Sequence, residues 1–151
     1  MRSSLALGLV AGAAGTAALN VVTYLDMALR GRAASTMPAQ AASRLAGAAG
    51  VPLGQDESRD NRAEGVGALL GYATGLGVGA AYGGLRSAVD VPAPLAALGL
   101  GVAAMAGSDV PLTALGLTDP REWPASSWVM DVVPHLAYGV VTALVFDRLA
   151  R

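Results

Sequence analysis

Four long apolar stretches, set apart by short clusters of charge, constrain the fold of this chain more than any other feature. A helix that crosses a bilayer needs about 20 mostly apolar residues. Residues 5–29 form the first such run, interrupted only by Asn20 and Asp26. Residues 66–85 form the second and carry no charge. Residues 94–112 form the third, with Asp109 near its end, and residues 127–146 form the fourth, which holds Asp131 and His135. The pattern predicts an all-α fold, an integral membrane bundle of four transmembrane helices in one domain spanning residues 1–151.

Composition supports this solvent. Hydrophobic residues make up 54% of the 151 and charged residues only 14%, against roughly 25% charged in soluble chains. Mean hydropathy is +0.51. A soluble bundle of this size has too little interior to hide so much apolar surface, so the lipid bilayer is the expected partner. The formal net charge of −1 offers no basic field for nucleic acid. With no Cys and one His, disulfides, thiolate chemistry and a zinc site are not expected. No phosphate loop, zincin helix or nucleophile elbow occurs, so no cofactor and no enzymatic activity are expected.

A secretory signal is the alternative reading of the first run, with Arg2, an apolar stretch and small residues near Ala17 and Ala18. Apolar character continues well past a normal signal core, and the later runs still require a membrane. Between the first and second runs lies the one long polar segment, residues 30–63. Thr36, Met37 and Pro38 have the form of a helix start, and Gly50 and Pro52 of a stop. Within it, Ala41, Leu45, Ala48 and Ala49 share a face opposite Gln40, Ser43 and Arg44. This predicts a short helix over 37–49, either lying on the membrane surface or forming part of an ordinary ordered loop. Residues 55–62 are expected to be a solvated turn.

Glycine is patterned. Gly67, Gly71, Gly75, Gly79 and Gly83 recur every four residues and form one ridge without side chains on a helix, and Gly8, Gly12 and Gly15 form a shorter groove in the first run. Such surfaces let helices approach closely enough for contacts that lipid tails cannot match. The ridge serves either packing within one chain or a homo-oligomer or larger membrane complex.

Threading four spans brings one end of each to a common side. Asp26, Glu64, Asp109 and Asp131 fall there, with His135 somewhat deeper and Arg30, Arg32, Arg62 and Arg121 flanking; Asn20, Thr23 and Tyr24 add hydrogen-bonding groups. The opposite side has only a rim of Arg86, Asp90, Asp147 and Arg148. Ionisable groups at membrane depth are costly and face the bundle interior. Asn20, Tyr24, Asp26, Asp109, Asp131 and His135 are therefore candidates for a polar vestibule that passes or senses a proton or small solute. Asp131 and His135, four residues apart, share a helix face with Trp128, Gly139 and Thr142. His135 would be the natural proton carrier, and Pro134 frees a backbone carbonyl beside it. A purely structural role, with Asp131 capping or pairing and His135 bonding a carbonyl, remains open. Trp123 and Trp128 suit a membrane interface.

The stretch 109–120, followed by Trp123, Asp131 and the His135-Leu136 pair, resembles the YagU-like family of small bacterial inner-membrane proteins. Pro134 stands where that family usually has Gly. The opening run, Gly12 to Asn20 through Tyr24-Leu25-Asp26 to Arg32, resembles uncharacterised actinobacterial membrane proteins. The resemblance implies a helical, multi-pass protein of the bacterial inner membrane, with acid tolerance as its nearest functional association.

Orientation is finely balanced. Arg30, Arg32, Arg44, Arg59, Arg62 and Arg121 fall on one side, and Arg2, Arg86, Arg148 and Arg151 on the other. The positive-inside rule slightly favours the first group in the cytoplasm, and insertion both ways is permitted. The protein should stay with membranes after carbonate extraction and need detergent for solubility. Recovery of folded, monodisperse protein from buffer alone would overturn the membrane reading.

Overall fold

The computed structural model describes residues 3–151 and is all-helical, with no strand among them. Arg2, counted above in the charge balance for orientation and in a possible signal, lies outside the described residues. The helices are α1 (Ser4–Arg30), α2 (Met37–Ala48), α3 (Asp56–Arg86), α4 (Ala93–Ala114) and α5 (Ala125–Leu149), with a single 3-10 turn at Pro120–Glu122. Three of these, α1, α4 and α5, are long and apolar enough to cross a membrane.

Their ends follow local chemistry. The Ser3 hydroxyl accepts from the Ala6 amide at 3.3 Å and caps α1. Pro92 and Pro124 stand just before α4 and α5, where a missing amide costs little. Gly116 closes α4 at φ 66°. Its amide bonds Thr113 O at 2.9 Å and the next amide, Leu117, bonds Leu112 O at 3.0 Å, the left-handed cap that only glycine adopts without strain.

One expectation is corrected. Residues 55–62 are not a turn: Gln55 stands at the N-cap position of α3 without a side-chain bond, and the charged stretch after it forms the first turns of one continuous helix. Asp56 and Glu57 lie at its N-terminus, where carboxylates suit the helix dipole. Helix α2 packs by another face than its apolar one: Ala42 is buried, Met37, Ala39, Ala41, Ser43 and Ala46 are half-buried, and Leu45, Ala48 and Ala49 are exposed. Ser43 thus turns toward the protein and Leu45 away from it. The cause is α3, which α2 packs along. Small alanines let the two backbones approach, and a Cβ on Gly67 would lie 2.5 Å from the Pro38 carbonyl carbon.

The bundle is organised about α1, which packs against α3 on one side and α5 on the other. Helix α4 packs mainly on α5 and more narrowly on α3. The α1–α3 seam is backbone against backbone. A Cβ on Gly79 would lie 2.6 Å from Gly12 Cα and 2.8 Å from its nitrogen; one on Gly12 would lie 2.6 Å from the Gly75 carbonyl oxygen. Gly83 meets Ser4 and Gly8 in the same way. Real Cβ contacts essentially never fall below 3.0 Å, and backbone cannot swing aside. The ridge is nevertheless not one continuous surface. Gly71 faces open space, because it lies between the α2 contact at Gly67 and the α1 contact that begins at Gly75. Gly15 turns toward α5, where a Cβ would lie 2.8 Å from the Tyr138 ring.

Gly79→Ala should therefore destabilise the bundle by about 2 kcal/mol or more, the range for overpacking a rigid contact. Gly77, with nothing within 4 Å of its Cβ position, should accept Ala with no loss. Thermal unfolding in detergent distinguishes the two, and equal tolerance would contradict the seam.

Candidate functional site

The α4–α5 pair is held by its own close approach. A Cβ on Gly139 would lie 2.7 Å from the Gly101 nitrogen, and one on Gly101 would lie 3.0 Å from the His135 carbonyl oxygen. This contact sets the two helices side by side. Toward the end where α4 finishes and α5 begins, it brings Asp109 of α4 to Asp131 and His135 of α5.

The three side chains form a cluster. His135 Nδ1 lies 2.8 Å from the Asp131 carbonyl oxygen and 3.3 Å from its Oδ1. With Nδ1 carrying hydrogen, the ring donates to that carbonyl and faces the carboxylate. The Asp109 and Asp131 carboxyls are near enough to act on one another, and the Ser108 hydroxyl is 3.5 Å from Asp109 Oδ1. Asp131 Oδ2 is buried and has no hydrogen-bond donor. Two carboxyl groups in contact can hydrogen-bond only when one carries a proton. A proton on Asp109 would supply the donor that Asp131 Oδ2 lacks.

The backbone around the cluster is also incompletely paired. Pro134 and Pro111 both lie inside their helices. Each lacks an amide, so the carbonyl four residues earlier, on Met130 and on Gly107, loses its intrahelical donor. Both freed carbonyls lie within one turn of the acidic residues in sequence. Helix α5 runs unbroken through Pro134, which is buried.

The six vestibule candidates divide. Asp109, Asp131 and His135 lie together. Asp26 does not join them: it pairs with Arg30 at 3.4 Å and with Arg32, the residue that follows the left-handed Gly31 at the end of α1. The two arginines neutralise it at the rim, so it gains nothing by turning inward. Tyr24 is 61% exposed and faces outward, because it lies on the side of α1 away from α3 and α5. Asn20 is half-buried. Of the two structural alternatives, His135 does bond a neighbouring carbonyl, while Asp131 faces His135 and Asp109 rather than an arginine.

The 115–124 connection lies in chain order between the two helices that carry the cluster. Trp123 Nε1 donates to Thr118 Oγ1 at 2.6 Å, and the Trp123 and Trp128 rings meet edge to face at 5.2 Å. The Arg121 side chain donates to Asp119 at 3.0 Å from Nε and 2.8 Å from Nη2, and its backbone amide donates to Asp119 Oδ1 at 3.0 Å. Those bonds hold the Asp119 carboxyl below its usual range. A depressed carboxyl favours the folded loop above the ordinary carboxylate pKa, and that contribution is lost as pH falls through the lowered value. The Arg121 side chain is 90% exposed and Asp119 half-buried, so the pair orders the loop more than it stabilises the bundle.

One residue that joins the seams escaped the sequence reading. The Tyr138 hydroxyl donates to the Gly75 carbonyl at 2.6 Å, tying α5 to α3 across the centre of the bundle. Tyr138 is among the largest fully buried side chains. Its place on the face that also carries His135 and Thr142 was the available signal. Thr16 contributes at the same level by donating to the Gly12 carbonyl at 2.8 Å.

No protein-family model, curated protein or solved structure matches this chain. The site therefore stands on its own geometry. Tyr138→Phe keeps the ring and removes the interhelical bond. It should lower stability by about 1 kcal/mol, the scale of a hydrogen bond between membrane helices, and unchanged unfolding in detergent would mean that the bond has no energetic weight.

Proposed function

We propose that this is a multi-pass protein of a bacterial cytoplasmic membrane that binds a proton at the Asp109–Asp131–His135 cluster and responds to it, by a conformational change or by passing the proton on. In this reading four helices cross the bilayer, α1, residues 66–85 of α3, α4 and α5. Residues 66–85 carry no charge and contain seven glycines, which lower hydropathy without adding polarity. Helix α3 has 31 residues, about 46 Å at 1.5 Å per residue. That exceeds a hydrocarbon core of about 30 Å, so its charged first turns extend beyond the membrane with α2 against them. The exposed Leu45 face of α2 then lies along the bilayer surface. The bacterial assignment and the link to acid response rest on the resemblance to YagU-like proteins.

The observation that carries the proposal is the buried, donorless Asp131 Oδ2 beside a second carboxyl, at the interface of two apolar helices. The groups acting on Asp109 are Asp131, His135 and Ser108. The acidic residue of α1 at this end, Asp26, is engaged by Arg30 and Arg32. No guanidinium is among those groups, so the charge balance between the two carboxyls rests on a proton and on the imidazole. A purely structural pair would more naturally recruit one of the rim arginines.

The alternative, an accessory subunit that oligomerises through the glycine ridge, has less support. Gly67, Gly75, Gly79 and Gly83 are already covered within the chain, which leaves a partner helix little of that surface.

The test uses full-length protein in liposomes containing a pH-sensitive dye, with tryptophan fluorescence of Trp123 and Trp128 as a second readout. A step in external pH should produce a change in one or both signals. Asp131→Asn, which keeps a hydrogen-bonding group of the same shape, should abolish the pH response while leaving insertion and thermal stability close to wild type. His135→Ala should shift the pH at which the response occurs. A wild-type protein with no pH-linked signal, or Asp131→Asn and His135→Ala variants that respond as wild type does, would overturn the proposal.

A further inference from the structure

At the opposite end of the bundle, the turn between α3 and α4 and the last turn of α5 border an open cleft of about 480 Å³. Its floor is Val91 and Pro92, and its walls carry Arg86, Asp90, Asp147 and Arg151. Pro92 stands immediately before α4 and Ala150 immediately after α5. Both helices are apolar enough to span. The cleft is thus at the depth where apolar segments end and lipid headgroups begin.

Arg86 is fixed on three sides. Its Nη1 donates to the Val91 carbonyl at 2.8 Å, its guanidinium lies 5.8 Å from the centre of the Phe146 ring, and Phe146 packs edge to face on Tyr82 at 5.1 Å. Its Nη2 lies 3.6 Å from a carboxylate oxygen of Asp90 and 3.6 Å from one of Asp147. Charge-assisted hydrogen bonds run at about 2.7–2.9 Å, so Nη2 is attracted to both carboxylates while its donors remain unspent. The Asp90 side chain is fully exposed, whereas Arg86 is only 17% exposed. The cleft therefore offers a rigid cation with free donors beside an anion that reaches into solvent. The last two turns of α5 also carry a groove of about 300 Å³ lined by Leu144, Val145, Arg148 and Leu149. Its apolar lining suits a hydrocarbon chain, and Arg148 can reach the interface from it.

We infer that this cleft binds the headgroup of a membrane phospholipid that joins a phosphodiester to a primary ammonium, as in phosphatidylethanolamine. The phosphate accepts from Arg86 Nη2 and is drawn to Arg151, the ammonium donates to Asp90, and one acyl chain follows the Leu144 groove. Charge complementarity selects this headgroup. A purely anionic lipid satisfies Arg86 but sets its own negative charge near Asp90 and Asp147. A quaternary choline carries the positive charge but has no N–H to give to Asp90. The inference rests on the membrane reading and is independent of the carboxyl–histidine cluster.

The test is lipid binding to the detergent-solubilised full chain, measured by native mass spectrometry with short-chain phosphatidylethanolamine, phosphatidylcholine and phosphatidylglycerol, and with water-soluble phosphoethanolamine. Phosphatidylethanolamine should bind about fivefold tighter than the other two lipids, the scale of one charge-assisted hydrogen bond at a partly exposed site. Asp90→Asn should erase the preference over phosphatidylglycerol, and Arg151→Gln should weaken all three. Both residues are exposed, so unfolding temperatures without lipid should match wild type. Equal binding of the three lipids, or an unchanged preference in Asp90→Asn, would overturn the inference. Binding of phosphoethanolamine as tight as that of the lipid would overturn the membrane source and assign the cleft to a soluble ligand. If the protein were folded and soluble without detergent, the membrane reading itself would fall, whatever the lipid result.

Discussion

The close approach of α1 and α3, backbone against backbone through Gly8, Gly12, Gly75, Gly79 and Gly83, is the contact on which the rest of the bundle depends. Lipid is as apolar as leucine, so helices in a bilayer gain little from burying large hydrophobic side chains against each other. They gain by fitting more closely than lipid can. Here the fit is made by removing side chains altogether, and it fixes the height and azimuth of α3 on α1. Tyr138 then reaches the Gly75 carbonyl, and the Tyr138–Thr142 face of α5 packs where Gly15 leaves room. The central helix is α1, and at the seam its Thr16 hydroxyl donates to its own Gly12 carbonyl.

Helix α4 is attached differently. It rests on α5 through Gly101 and Gly139 and touches α3 only narrowly. The carboxyl of Asp109 meets α5 at the far end of that contact. A helix with one main partner, joined to it by a small-residue contact and a titratable one, has fewer interactions to break than a helix at the centre. Chemistry placed at such an interface can influence where α4 sits at modest energetic cost.

The two ends of the bundle use charge in different ways. At one end carboxyls meet with an imidazole and no guanidinium acts on them, while Asp26 and its arginines remain apart at the rim. At the other, Arg86 is surrounded by Asp90, Asp147 and the Phe146 ring. The first arrangement leaves Asp131 Oδ2 buried without a donor. The second sets one guanidinium between two carboxylates, with Nη2 3.6 Å from each. They differ in whether an arginine acts on the carboxyls.

Much was legible in the chain because hydropathy and spacing are local properties. The long apolar runs defined α1, α4 and α5, and the i, i+4 relation of Asp131 and His135 placed both on one helix face. The glycine repeat announced a close-packed surface on α3. What it packed against was a tertiary matter: Gly67 meets α2, Gly71 meets nothing, and Gly75 onward meet α1, although the sequence spacing treats all five alike. The helical state of residues 55–62 was hidden because charge is read as solvent exposure, and a solvated helix carries the same residues as a solvated turn. The packed face of α2 was hidden because alanine serves a surface and an interface equally. Threading brought four acidic residues to one side, but only the packing of α4 on α5 chose Asp109 as the partner of Asp131 and left Asp26 to its arginines. Periodicity determines which side of a helix a residue occupies; which other helix stands there depends on the mutual fit of surfaces far apart in the chain, and that fit exists only once the bundle has assembled.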